Sequence, residues 1–225
     1  LRRLFGVPQL LYILNHNSPA PPYDTFPFLG NLGTSVHGVT GHALNKNILS
    51  MENETLKAIR QRRSVRSFKP DQITDKELLT VLEAGTWAPT GMGRQDPVII
   101  AVQNEELANE IRQLNARVMG TKSDPYYGAP TLVLVFSSKN NPNHVKDGSL
   151  VLGTMMLAAH SIGLGSCWIN RCEAVFGELP ESKALRQRLN VPEGYEGVGS
   201  LALGYPNGEP HEPKARKKDY FRIIK

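Results

Sequence analysis

The chain has 225 residues and only two cysteines, Cys167 and Cys172. That is too few for a disulfide framework, and no second Cys or His pair stands at zinc-ligand spacing. Neither cross-links nor a structural metal is therefore expected, and a reducing, cytoplasmic setting is the default. No Ser/His/Asp spacing, HExxH or Walker sequence occurs, which removes the common hydrolase, zinc-protease and nucleotide-triphosphatase readings. Excess charge is also scarce: 26 Lys+Arg against 21 Asp+Glu leave +5, with both signs interleaved along most of the chain. A nucleic-acid partner would call for a denser basic surface with interleaved aromatics, so none is expected. An anionic small ligand suits the balance better.

No methionine precedes Met51, and the first fifty residues carry only Arg2, Arg3, Lys46 and Asp24 as charges. This stretch is rich in Pro, Gly, Asn and Ser and has no sustained periodicity. Residues 1–50 are expected to be a disordered or non-native extension, and 51–225 the working domain. A targeting leader is the competing reading, because Arg2-Arg3 precede the apolar Leu4–Leu14. Pro8 and Gln9 interrupt that run, and no small-residue cleavage site follows.

From Met51 the texture is that of a compact chain of helices and strands. Glu52–Arg62 reads as a short helix with Leu56 and Ile59 apolar. Thr74-Asp75-Lys76-Glu77 fits a capping box opening a helix that runs through Trp87, with Leu78, Leu79 and Leu82 on one stripe. Pro97–Gln103 reads as a buried strand, Glu105–Met119 as an amphipathic helix with Leu107, Ile111, Leu114 and Val118 inward, and Thr131–Ser137 as a second buried strand. Gly148–Asn170 holds no charged residue, yet its glycines and hydroxyls dilute it too far for a membrane span. It is expected to be a core helix, apolar nearly all round, that ends at Gly163-Leu164-Gly165 and runs into a strand over Ser166–Ile169. Ser182–Leu189 and Val198–Gly204 supply a last helix and a last core strand. The tail from Tyr205 is basic and closes with a strand-like run, Tyr220–Ile224, that has no core of its own.

Three segments carry candidate chemistry. Arg62-Arg63-Ser64-Val65-Arg66 puts three guanidiniums and a hydroxyl where a helix gives way to extended chain, a fork suited to phosphate oxygens. Ala88-Pro89-Thr90-Gly91-Met92-Gly93-Arg94-Gln95 is a Gly-rich loop that permits close approach of backbone to a planar ligand, with Arg94 and Gln95 as donors. Gly163–Asn170 offers backbone beside an aromatic ring system, with Trp168 close by. A solvated basic surface, an ordinary turn and a plain core strand are the bland alternatives for the three. Cys167 and Cys172 are expected to be buried thiols, His160 a satisfied interior histidine and Asp147 a helix N-cap.

Taken in order, RRSVRSF, APTGMGRQ, GAPTLVLVF at Gly128–Phe136, the block Asp147–Ile169 and LALGYP at Leu201–Pro206 resemble the FMN-dependent nitroreductase family from about Met51 to Lys218. The resemblance implies an α+β fold, a mixed, mainly antiparallel sheet flanked by helices, in an intertwined homodimer. It implies that Arg62, Arg63, Ser64 and Arg66 hold the FMN phosphate and ribityl chain, completed by Lys214 and Arg216. The loop Pro89, Thr90, Gly91, Gly93 and Gln95 would reach the cofactor of the partner subunit; many members have Asn where this chain has Gly93. Backbone at Ile169, Asn170 and Arg171, beside Trp168, would lie near flavin N5, although the family's frequent Gly is Asn170 here. Tyr126 and Tyr127 would line the mouth. No catalytic side chain is implied, since flavin N5 carries the chemistry from NADH or NADPH to a small electron-poor acceptor, a nitroaromatic or quinone. A flavin-sequestering protein and a specialised reaction such as dehalogenation or enoate reduction are the alternatives.

Overall fold

A computed structural model describes residues 51–209 and 211–225. The extension expected over 1–50 lies outside the described residues. Helix α1 (Glu54–Gln61) starts at Asn53, whose side chain accepts from the Leu56 N–H. In α2 (Asp75–Thr86) the capping box forms in full, with Thr74 Oγ1 accepting from the Glu77 N–H while the Glu77 carboxylate accepts from the Thr74 N–H. Strand β1 (Val98–Val102), α3 (Glu105–Met119) and β2 (Thr131–Ser138) follow, then α4 (His144–Ser161), β3 (Gly165–Ile169), α5 (Cys172–Val175), α6 (Pro180–Arg188) and β4 (Tyr195–Gly204).

The four strands form one sheet in the order β1-β2-β4-β3, every neighbouring pair antiparallel. A single parallel bridge from Ser64 to Ser166 brings the chain after α1 against the outer strand and makes the sheet mixed. β2 is central and buried along nearly its whole length, which explains why its sequence is a continuous apolar run instead of an alternating one. Its alternate residues divide two cores. Leu132, Leu134 and Phe136 pack with Ile111 and Leu114 of α3 and with Val175 and Leu185. Val133 and Val135 pack with Val81 of α2 and with Val151, Leu152 and Met155 of α4. Helices therefore cover both faces.

One expectation changes. α4 begins at His144, with Asn143 as its N-cap and Asp147 inside the first turn, so Asp147 does not cap it. The helix is launched by a polar turn, in which Asn141 Oδ1 accepts from the Asn143 N–H and the Asn141 carbonyl accepts from the His144 N–H, and an apolar pattern cannot see such a start. In the single chain one side of its apolar girdle is open, with Leu150 48% exposed. In the single chain the strand-like run Tyr220–Ile224 forms no strand, as a strand needs a hydrogen-bonding neighbour, and Ile224 stands 96% exposed. No helix among the described residues is long and apolar enough to cross a membrane.

Candidate functional site

The end of α1 sets up the cationic cluster. Arg62 is the C-cap of α1 and already extended (φ −52°, ψ 132°), so the chain turns away from the helix and lies along β3. The Val65 N–H donates to the Ser166 carbonyl at 3.0 Å. Arg62, Arg63 and Ser64 are half-buried while Arg66 is exposed. Arg63 Nη1 donates to the carbonyls of Arg60 (2.6 Å) and Arg62 (2.7 Å), which fixes its fork. Arg62 Nη1 and Arg63 Nε are buried with no hydrogen-bond partner. Burial and the neighbouring Arg63 charge hold the Arg62 pKa below its ordinary value, so the structure gathers positive charge that it does not neutralise. Native chains seldom leave buried donors unpaired; Arg112 Nε is a third such donor, but the Arg62 and Arg63 forks, lying side by side, suit an anion.

His160, near the end of α4, belongs to this cluster. Its ring is half-buried and makes no hydrogen bond among the described residues, which corrects the reading of it as a satisfied interior histidine. Burial, then Arg62 and Arg63, lower its pKa. Cys167 lies on β3 in the same neighbourhood; burial raises its pKa, opposed by Arg66, Ser64 and Arg62. Both cysteines are free and buried, and burial pushes Cys172 to about 12, so they are inert core thiols.

The Gly-rich loop forms a short turn over Gly91–Gly93, and Met92 (φ 58°), Gly93 (φ 64°) and, beyond the turn, Gln95 (φ 51°) adopt left-handed backbone. Two contacts hold it. Thr90 Oγ1 accepts from the Gln95 N–H at 3.0 Å, and the buried Asp147 accepts from the Gly91 N–H through Oδ1 (3.0 Å) and from Asn141 Nδ2 through Oδ2 (2.9 Å). Asp147 is thus a loop anchor, and its burial is satisfied by two donors. Pro89 and the loop from Met92 to Gln95 point to solvent, Met92 being 89% exposed. A small cleft beneath is lined by Thr90, Gln95, Pro97 and Val151.

The third segment ends β3. Trp168 packs over Gly199, where an added Cβ would come within 2.9 Å of its ring. After Ile169 the strand stops at Asn170 and at Arg171, which is left-handed (φ 75°). Trp168, Ile169, Asn170 and Arg171 line one cleft of about 190 Å³ together with Met119, Asp124 and Tyr127. The neighbouring tyrosines part company. Asp124 accepts from the N–H groups of Tyr126 (2.8 Å) and Gly128 (2.7 Å), and Tyr127 is left-handed (φ 59°), so one ring points in and the other out. Tyr127 borders the cleft as expected. Tyr126 does not: it is 1% exposed, its hydroxyl 2.9 Å from Ser200 Oγ in the core.

β3, the strand of the third segment, thus meets the RRSVR chain at Ser166 and ends at the Tyr127 cleft. The tail is not brought to either: Lys214 and Arg216 are exposed and form no ion pair among the described residues. Among the described residues no cluster of His, Cys, Asp and Glu suits a metal.

Fold and site define an α+β protein with an anion-receptive cationic corner and no side-chain set for nucleophilic catalysis. A profile of the nitroreductase family matches residues 59–205, and the chain belongs to that family. It is similar to a nitroreductase with bound FMN from Bacteroides fragilis, with 35% identity and a TM-score of 0.70 over 77% of this chain and 100% of that one. It is 29% identical over 174 residues to an NADPH-flavin oxidoreductase of Vibrio harveyi, covering 70% of this chain and 68% of the relative. It is also 27% identical over 176 residues to an iodotyrosine deiodinase of Thermotoga neapolitana, covering 69% of this chain and 90% of the relative.

Proposed function

We propose that this chain is an FMN-dependent oxidoreductase that passes a hydride from NADH or NADPH to a small electron-poor acceptor, a nitroaromatic or quinone, by a ping-pong cycle. The observation that carries the reading is the pair of buried, unpartnered donors, Arg62 Nη1 and Arg63 Nε, set beside Ser64 and Arg66. A dianionic phosphate fits that deficit, and guanidinium forks match its oxygens. Bound there, FMN would supply the redox chemistry at its N5 atom, for which the protein needs no catalytic side chain.

The chain's own residues would bind and orient. Arg62, Arg63, Ser64 and Arg66 hold the phosphate end. The backbone of Ile169, Asn170 and Arg171, stiffened by the strand pairing of β3 with β4 and by Trp168 packed on Gly199, borders the reacting end. Tyr127 narrows the cleft that both nicotinamide and acceptor would enter, which favours loose selectivity.

The working form is a homodimer in the cytoplasm. Support comes from apolar side chains that the single chain leaves uncovered, Ile59, Leu79, Trp87 and Leu150, and from the tail's Phe221, Ile223 and Ile224. In the dimer the loop Pro89–Gln95 and the tail cations Lys214 and Arg216 would complete the partner's site.

The test is to load purified protein with FMN, remove free flavin by gel filtration, and reduce it anaerobically with each nicotinamide. Reoxidation is then timed with nitroaromatics, quinones, enones and halogenated phenols. Rapid reoxidation by nitroaromatics and quinones is expected. Turnover of the halogenated phenols alone would replace the reading by dehalogenation, in keeping with the deiodinase relative, and FMN binding with no acceptor turned over would make this a flavin-sequestering protein.

A further inference from the structure

Behind the turn that ends β3 lies a buried polar network. Asn115 sits on the apolar stripe of α3, next to Leu114, with no exposed surface. Its Oδ1 accepts from Arg171 Nε at 2.9 Å, and its Nδ2 stands 3.5 Å from the Asn170 carbonyl. One residue earlier, Ser200 Oγ donates to the Ile169 carbonyl at 3.4 Å while pairing with the buried Tyr126 hydroxyl. Three successive residues of the turn are therefore tied from behind by side chains of α3, β4 and the Tyr126 loop.

An asparagine inside an apolar stripe gains nothing from burial and is unfavourable unless its amide is used. Here both ends of the amide meet the turn, at Arg171 Nε and the Asn170 carbonyl, with the buried Tyr126 hydroxyl also beside it. The turn needs holding: Arg171 has φ 75°, a conformation that side-chain-bearing residues avoid unless their surroundings impose it. Its guanidinium is drawn inward onto Asn115 and not into the ion-pair partnerships that other arginines of the chain make.

We propose that Asn115 is a positioning residue for hydride transfer: by clamping the Arg171 side chain and the Asn170 carbonyl, it fixes the backbone of residues 169–171 at the wall of the Tyr127 cleft. The inference rests on the flavin reading above. Its consequence is specific: loss of the clamp loosens the reacting end of the site and leaves the phosphate corner, built from α1 and β3, intact. Hydride transfer should then fall while FMN affinity holds.

The experiment uses the full chain with Asn115→Ala, Arg171→Ala and Asn115→Asp. In FMN-free protein, amide exchange over 168–172 is expected to rise about tenfold in N115A and R171A, one hydrogen bond's worth of local opening, with β4 unchanged. N115D keeps the acceptor for Arg171 Nε but loses the donor to the Asn170 carbonyl, so its exchange is expected to fall between the parent and N115A. In FMN-loaded protein, the rate of reduction at saturating NADPH is expected to drop about tenfold or more in N115A and R171A, because small misplacements of the reacting groups are costly. The FMN dissociation constant should move less than about threefold in the same variants. R171A alters a half-exposed side chain and folds even if N115A does not, so it carries the same expectations alone. Unchanged exchange at 168–172 in R171A, or parent-like reduction rates in either variant, overturns the inference. A parent protein that binds no FMN would instead defeat the flavin reading, while the exchange comparison would still show whether the clamp exists.

Discussion

Replacing Arg62 with alanine should push ligand affinity and the stability of the FMN-free protein in opposite directions. Arg62 keeps its charge in a corner where burial and Arg63 disfavour it, and its Nη1 has no partner. A cation whose pKa is depressed in the folded state costs stability throughout the pH range in which it is charged. The rest of the side chain reaches water, so this cost is put at about 1 kcal/mol and no more, after allowing for solvent screening. R62A should therefore melt at the parent temperature or about 2–4 °C above it without FMN. With FMN the sign reverses. A hydrogen bond to a charged group contributes about 1.5–3 kcal/mol, so the dissociation constant should rise roughly 10- to 150-fold. Thermal melts with and without FMN, and titration by quenching of flavin fluorescence, measure both halves. Arg188→Ala, which removes an exposed ion pair with Glu110, is the control and should leave FMN affinity unchanged. R62A that binds FMN within twofold of the parent would refute the assignment of this corner to the phosphate.

Other consequences follow from the same contacts. R62A should raise the pKa of His160 by removing a like charge, read from the imidazole signals in an NMR titration; no movement would mean the two do not interact. Asp147→Ala leaves the Gly91 N–H and Asn141 Nδ2 without their acceptor and should cost about 2–4 kcal/mol in urea unfolding. Asp96 is opposed by burial, but hydrogen bonds from Ser137, Ser138 and Tyr195 prevail and lower its pKa. Its contribution is present above the unfolded value near 4 and is lost as pH falls through the lower folded value. Asp96→Asn should thus flatten acid unfolding below about pH 4, followed by circular dichroism. Removing residues 220–225, whose apolar side chains stand largely exposed, should give monomers by light scattering with folded secondary structure retained; a dimer as tight as the parent would contradict the proposed role of the tail.

The elements were legible wherever local chemistry decides them. Thr74 and Glu77 advertise the α2 start because both groups of the box lie within four residues, and β2 is readable because burial on both faces leaves an unbroken apolar run. The family blocks were legible for the same reason, as contiguous text. What escaped depends on partners distant in sequence. Asp147 reads as a cap until Gly91 arrives 56 positions away. Tyr126 looks like its exposed neighbour until Asp124 reverses the chain between the two rings. Asn115 offered one signal, a polar amide interrupting the stripe Ile111, Leu114 and Val118, but its partner Arg171 could not be inferred from spacing. The terminal run 220–224 has the composition of a strand but forms none among the described residues, so its composition alone did not settle its conformation.

The central claim is that this chain holds FMN at the Arg62–Ser64 corner and exposes it to nicotinamide. Anaerobic mixing of FMN-loaded protein with NADH or NADPH, followed by visible absorbance, tests it most directly. The account predicts a yellow protein that bleaches rapidly with at least one nicotinamide and recovers its colour on addition of a quinone or nitroaromatic. Protein that stays colourless after FMN is added and free flavin removed, or that keeps its yellow colour with both nicotinamides, would contradict it.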